Sequence, residues 1–366
     1  MPQQGILTLH FKGRSMESKI TIENITISPK HKPFIIAEMS GNHNQSLEKA
    51  LSIVEAAAKA GADAIKLQTY TADTMTLNVD YDDFRINDPN SLWHGRHLYE
   101  LYQEAHTPWA WHDAIFKKAK EMGIICFSTP FDATAVDFLE KLEAPCYKIA
   151  SFENTDIHLI RKVCKTGKPV IVSTGMALLA DLQLIVNTLK NAGCKQFVLL
   201  KCTSQYPASP SDANIKTIPH MANMFNCQIG LSDHTMGIGV PIAAVALGAT
   251  VIEKHFCLSR GEGGVDADFS LEPNELKLLV EETRRAWQAL GSVNYQLSDN
   301  EKKSKQFRRS IYFVKAMKKS EVITEKCIRA IRPGFGLAPR YWDYLIGKKV
   351  NQAVAKGRKT SWELLC

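Results

Sequence analysis

The chain has 366 residues, 45% hydrophobic and 23% charged, an ordinary globular composition with a length that suits one large domain plus a small one. No apolar run approaches the ~20 residues of a membrane helix, and nine scattered cysteines, odd in number and without a C-x-x-C pair, argue against a disulfide scaffold or a cysteine zinc site. The net charge of +7 is unevenly placed: residues 301–366 carry 17 Lys and Arg against 5 Asp and Glu, which leaves 28 against 33 in the first 300. A basic module can receive nucleic acid or an anionic small molecule. The positive residues follow an alternating pattern and no nucleic-acid motif accompanies them, so neither nucleic acid nor membrane is expected as a partner. Free thiols fit a reducing cytoplasm.

Residues 1–19 lack the apolar core and cleavage site of a signal peptide and are expected to be a flexible extension. A hairpin-like stretch, 20–28, follows. Eight short apolar runs then alternate with amphipathic helices: 34–37, 64–67, 124–127, 146–149, 169–172, 197–200, 229–231 and 251–252. The helices include Leu47–Ala60, 109–122, 133–142, Ile157–Cys164, Leu179–Asn191, 215–225 and 274–290, with apolar residues recurring at three and four; Gly61, Gly123 and Gly193 stop three of them. Eight strands, each followed by a helix, predict a (β/α)8 barrel over 20–290, and no G-x-G-x-x-G follows the first strand. A long insert, 71–108, is expected to lie over the barrel mouth. Residues 291–307 are polar and aperiodic, which predicts a linker, and 308–366 form a compact second domain.

The stretch 228–256, QIGLSDHTMGIGVPIAAVALGATVIEKHF, reads as strand, helix, strand with His234 and His255 at equivalent ends. If the strands are parallel neighbours, both imidazoles emerge at the same sheet edge within reach of one ion; the plainer reading is two histidines bonded into a polar rim. Other strands also end in reactive groups, among them Glu38, Lys66, Gln68, Ser128, Thr129, Lys148, Ser151, Glu153, Ser173, Ser204, Tyr206, Ser232 and Glu253. In a barrel the active site forms at these ends, and buried charges are costly unless paired. Lys66 and Lys148 interrupt apolar strands, so their ammonium groups should enter the mouth and, with Ser128, Thr129, Ser151, Ser173 and Ser232, offer donors to phosphate and carboxylate oxygens. A lysine that forms a Schiff base with a carbonyl substrate is an open alternative, as is a non-catalytic protein whose basic domain grips an acidic polymer. Two imidazoles with open positions favour a divalent ion, manganese or magnesium first, with iron and zinc as open alternatives. Closure of the barrel brings strand one beside strand eight and Glu38 beside that ion, where a carboxylate can serve as general base.

The motifs IIAEMSGNHNQSLEKA, KLQTY, STPFD, KIASFEN, STGM, GLSDH and EKHF resemble the sialic acid (nonulosonic acid) synthase family, and RPGFGLAP resembles the antifreeze-protein-like (SAF) domain that closes those enzymes. The likeness runs from about residue 20 to the C-terminus and is strongest to the pseudaminic acid branch. It implies condensation of phosphoenolpyruvate with an acetamido sugar, here 2,4-diacetamido-2,4,6-trideoxy-altrose, with loss of phosphate. By the same resemblance His234 and His255 are metal ligands; Lys66, Thr129, Lys148, Ser151, Ser173 and Ser232 contact phosphoenolpyruvate; Gln68, Phe131, Glu153, Tyr206 and Asp266 contact the sugar; and Glu38 stands near the metal. Arg332 would reach the sugar site of the partner in a homodimer, the SAF domain of one chain lying over the barrel of the other. Ser204 departs from the pattern, because some family members carry Asn there, and the shorter side chain leaves room for a different substituent.

Overall fold

The structure is a computed structural model that describes residues 19–89 and 91–366; the extension expected over 1–19 lies almost wholly outside them. The chain divides into two compact units between Gly291 and Ser292.

The first unit opens with an antiparallel hairpin, β1 (Ile20–Ile22) and β2 (Ile25–Ile27). Eight parallel strands follow: β3 (Phe34–Glu38), β4 (Ala64–Thr69), β5 (Ile125–Pro130), β6 (Tyr147–Ile149), β7 (Val170–Ser173), β8 (Phe197–Cys202), β9 (Gln228–Asp233) and β10 (Val251–His255). They close in sequence order, with β10 returning to β3. The expected (β/α)8 barrel is thus present, and several strands run one to three residues further toward the mouth than their apolar cores indicate. Helices form where the sequence provides both a stripe and stops. In Leu47–Ala60 the Ser46 side chain accepts from the Lys49 N–H, Ala50, Ile53, Val54 and Ala57 are buried, and Gly61 ends the helix at φ 90°, a conformation that costs a glycine little.

Side chains alternate along a strand, and that period builds the site. The inward set at the N-terminal half of the barrel is apolar: Phe34, Ile36, Ala64, Ile125, Phe127, Ile171, Val198, Leu200 and Val251 share one core with Ile20, Ile22 and Ile27 of the hairpin, which seals that end. Gly230 belongs to the same layer. A Cβ there would collide with the Val251 carbonyl and the Leu200 side chain, so β9 approaches β10 and β8 only because this residue has none. The outward faces and the helices form a second, larger core. Continuing each inward series toward the mouth gives Glu38, Lys66 and Gln68, Thr129, Lys148, Ser173, Cys202, Ser232, Glu253 and His255.

The second unit pairs β11 (Ser310–Phe313) with β12 (Ile328–Ile331) around a core that includes Ile311, Phe313, Ile323, Leu345 and Val350. Part of the expected linker is helical. Asp299–Ser304 forms a short helix because Ser298 caps the Glu301 N–H while the Glu301 carboxylate reaches back to the Ser298 N–H, a capping box that polar composition alone concealed. Among the described residues no helix is long and apolar enough to cross a membrane.

Candidate active site

The floor of the barrel mouth is a buried charge network. Lys66 Nζ lies 2.6 Å from Glu38 Oε2 and 4.0 Å from Glu253 Oε2, and it donates to Thr129 Oγ1 at 3.2 Å. Lys148 Nζ donates to Glu253 Oε1 at 2.9 Å, and Ser232 Oγ donates to the same oxygen at 3.0 Å. Two ammoniums and two carboxylates therefore interlock where a lone charge would be very costly. Burial opposes the charge of each, but the Lys148 and Lys66 ammoniums hold Glu253 well below the usual carboxylate range. Burial raises Glu38, the charge of Glu253 adding to it. Around Lys66 the Glu253 and Glu38 charges outweigh burial and keep it protonated; burial dominates at Lys148 and lowers it.

Beside this floor, Ser151, Ser173 and Ser204 bring hydroxyls to the mouth. Ser173 Oγ and Ser204 Oγ are buried without a hydrogen-bond partner among the described residues. Ser151 Oγ accepts from the Gly175 N–H at 3.2 Å, and a Cβ at Gly175 would collide with the hydroxyls of Ser151 and Ser204. Asn154 braces the loop, its Nδ2 donating to the carbonyls of Ser173 and Gly175 at 3.2 and 3.0 Å. Buried hydroxyls left open next to ammonium groups form a donor set suited to an anion.

The two histidines do converge: their ring centroids are 5.5 Å apart, and His255 sits opposite Glu38 across the β10–β3 pairing. His234 Nδ1 stands 2.8 Å from the Thr203 carbonyl, which fixes that nitrogen as an N–H; burial opposes its charge, but the hydrogen bond and charge of Cys202 raise it. His255 Nδ1 is buried without a hydrogen-bond partner, 3.8 Å from Asp266 Oδ2, and burial together with the nearby His234 and lysine charges keeps this ring neutral. No group of three or more His, Cys, Asp and Glu side chains among the described residues is placed to hold a metal. The unpartnered nitrogen of His255 and the neighbouring His234 ring are the groups that could hold an ion here, with no third such side chain among the described residues beside them.

Above the floor lies a cavity of about 500 Å³ lined by Gln68, Phe131, Glu153, Tyr206, His255 and Asp266 and by residues of the 71–108 insert. The insert lies over the mouth as expected, fastened where Trp93 Nε1 donates to the Val265 carbonyl at 3.0 Å. Gln68 Nε2 donates to Glu38 Oε1 and Ser40 Oγ, each at 3.0 Å, and the Ser40 hydroxyl donates to Asp266. Burial raises Asp266 and pushes Glu153 up to about 7. The Tyr206 ring lies 4.3 Å from that of His234 and 5.8 Å from that of Trp93.

One sequence expectation fails: Ser128 does not enter the mouth. It faces outward, 2.6 Å from Thr69 Oγ1, because its neighbour Thr129 takes the inward position and adjacent strand residues cannot share a face. Arg332 belongs to the second unit and is exposed there. Glu253 was named as a strand end in the sequence but given no role, although it lies two residues before His255 on the same strand. Two contributors were not named at all. Cys202 was legible by the same spacing after Leu200; burial would raise its thiol, but a hydrogen bond with His234 brings it to about 7. Ser40, at φ 47° just past β3, had no such signal.

A closed barrel whose mouth gathers an anion cradle, a neutral imidazole and raised carboxyls beside one cavity is an enzyme of the (β/α)8 class. The chain belongs to the NeuB family, which it matches over residues 53–295, and residues 308–363 match the SAF domain. It is 46% identical to a pseudaminic acid synthase of Campylobacter jejuni, over 89% of this chain and 94% of that protein. Identity to a pseudaminic acid synthase of Helicobacter pylori is 40%, over 87% and 94%. Among solved structures, N-acetylneuraminic acid (sialic acid) synthetase from Leptospira borgpetersenii gives a TM-score of 0.70 at 32% identity, covering 78% of this chain and 95% of that one.

Proposed function

We propose that this chain is a pseudaminic acid synthase, which joins phosphoenolpyruvate to the open-chain aldehyde of 2,4-diacetamido-2,4,6-trideoxy-altrose and releases phosphate. The observation that supports it most is the pairing, in one mouth, of open buried hydroxyls and two ammoniums with a cavity carrying raised carboxyls. The first half suits a small phosphorylated acid and the second a neutral, hydroxyl-rich sugar.

Carbon 3 of phosphoenolpyruvate forms the new bond to the aldehyde carbon, whose oxygen takes up a proton; water adds at carbon 2, and phosphate departs with the bridging oxygen. Lys66, Lys148, Thr129, Ser151, Ser173 and Ser232 hold the phosphate and carboxylate, so the enol ether stays oriented while charge builds on the leaving oxygens. Gln68, Phe131, Tyr206 and Asp266 position the sugar, and Ser204 leaves space beside it. Glu153, poised near neutrality, gives its proton to the aldehyde oxygen, and Glu38, its basicity raised by burial, takes one from the attacking water. His234 and His255 would hold a divalent ion, manganese or magnesium, which when bound polarises the aldehyde as a Lewis acid. A Schiff-base route needs a neutral lysine amine; Lys66 is held as an ammonium by two carboxylates, and Lys148, though lowered by burial, is engaged by Glu253 at 2.9 Å. We further propose a homodimer in the cytoplasm, in which Arg332 of one chain supplies a guanidinium fork to the sugar in the other.

The test is phosphate release with the metal-loaded protein, phosphoenolpyruvate and three acceptors: N-acetylmannosamine, the diacetamido-altrose and the diacetamido-mannose isomer. Phosphate carrying 18O from labelled bridging oxygen, with the altrose sugar as the best acceptor, is the expected result. No release with any of the three would sink the reading.

A further inference from the structure

The cavity above the site is lined by two unlike sets of residues. Gln68, Glu153, His255 and Asp266, on or past the barrel strands, are polar; Met75, Ile86, Leu98, Leu101 and Ala105, all from the 71–108 insert, form an apolar wall. That wall offers little to a hydroxyl. Trp93, the insert's indole in this cavity, has its N–H committed to the Val265 carbonyl, and the Tyr102 hydroxyl is the insert's one other polar side-chain group in the lining among the described residues. The wall is also built from contiguous chain: Met75 ends the helix Ala72–Met75, while Leu98, Leu101 and Ala105 lie on the helix Leu98–Ala105 at spacings of three and four, so they present one stripe.

We infer that this wall determines acceptor specificity by reading the end of the sugar remote from the aldehyde, accepting a methyl group there and disfavouring a hydroxymethyl. The inference rests on the condensation reading above, which puts the aldehyde beside His234 and His255 and so turns the opposite end of the sugar toward the insert. A methyl gains from leaving water for an apolar wall, whereas a hydroxyl sent into the same place leaves its water partners and meets aliphatic carbon. Apolar pockets discriminate against an added hydroxyl by about 10²-fold at best. Met75, Ile86, Leu98 and Leu101 are therefore specificity-determining residues, separate from the groups that hold phosphoenolpyruvate.

The experiment compares a 2,4-diacetamido-2,4,6-trideoxy-hexose with its 6-hydroxy counterpart as acceptors, in the parent enzyme and in Met75→Gln and Leu98→Asn. Neither Met75 nor Leu98 is fully buried, so both variants should fold. The parent should favour the 6-methyl sugar by about 10- to 100-fold in kcat/KM. Each variant should reduce that ratio at least several-fold, mainly through sugar KM, with KM for phosphoenolpyruvate unchanged. Calorimetric binding of the two sugars without phosphoenolpyruvate reads the same wall independently of turnover: a methyl preference that the variants erase supports the wall even if no phosphate is released, which would sink the reaction alone. Equal affinity for the two sugars in the parent, or an unchanged ratio in both variants, overturns the inference.

Discussion

Glu253 is 5% exposed and stands between Lys148 and Lys66, which are 2% and 3% exposed. Replacing it with Gln keeps the volume and the hydrogen bond from Ser232 but removes the charge. Lys66 retains Glu38 at 2.6 Å; Lys148 has no other carboxylate in an ion pair among the described residues. Removing one partner of a buried pair costs about 3–5 kcal/mol, and since the second lysine keeps its partner the lower figure, about 3 kcal/mol, is expected for Glu253→Gln at neutral pH. The sign of the pH dependence follows from Lys148, which burial already lowers and which this variant would lower further. A depressed lysine carries its full penalty while both folded and unfolded chains are protonated, and the penalty shrinks as pH rises from the folded pKa toward the unfolded one. The loss in Glu253→Gln should therefore be largest near neutrality and smaller at alkaline pH, relative to the parent at each pH. Urea denaturation followed by barrel tryptophan fluorescence at several pH values measures it. A loss under about 1 kcal/mol, or one that grows with pH, would refute the charge-network account.

His234→Ala and His255→Ala should each abolish phosphate release and weaken Mn2+ binding in calorimetry while leaving the melting temperature within a few degrees, because both rings lie at the rim; near-normal turnover in both excludes the metal assignment. Burial pushes Glu153 up to about 7 in the folded chain, above its unfolded value, so its contribution lowers stability as pH rises between about 4.5 and 7, by at most about 3.5 kcal/mol at 1.4 kcal/mol per unit. Glu153→Gln should match the parent in thermal denaturation at pH 4.5 and exceed it at pH 8; a difference that does not grow with pH rejects the raised carboxyl. Mixing Arg332→Ala with His234→Ala protein should restore activity, since one site of each mixed dimer then has an intact barrel and an intact arginine. No recovery after mass spectrometry has confirmed subunit exchange rules out a shared site.

The barrel was legible because its signals repeat: eight apolar runs, helices that stop at glycine, and a reactive residue at nearly every strand end. Phase was harder to read. A parallel strand buried on both faces carries no alternation of polarity along its apolar part, so ICFSTP offers Ser128 and Thr129 as equal candidates. What separates them is the series Ile125, Phe127, Thr129, which becomes visible only when the hairpin core identifies the first two as inward. The same extrapolation from Val251 through Glu253 to His255 would have turned Glu253 from a strand-end residue into an inward partner of the lysines.

Contacts between distant loops left no comparable trace. Ser40 reaches Asp266 from the far end of the chain because β3 and β10 close the barrel, and its left-handed backbone is not announced by any glycine. The insert was recognisable as a cover from its position after the second barrel strand, yet its short helices carry apolar residues that serve equally well for packing or for lining a pocket. Which of these they do depends on what lies opposite them. Leu101 and Ala105 are buried and satisfy any hydrophobic pattern, and only the polar residues that line the same cavity, among them Glu153, His255 and Asp266 from much later in the chain, turn that stripe into one wall of a site.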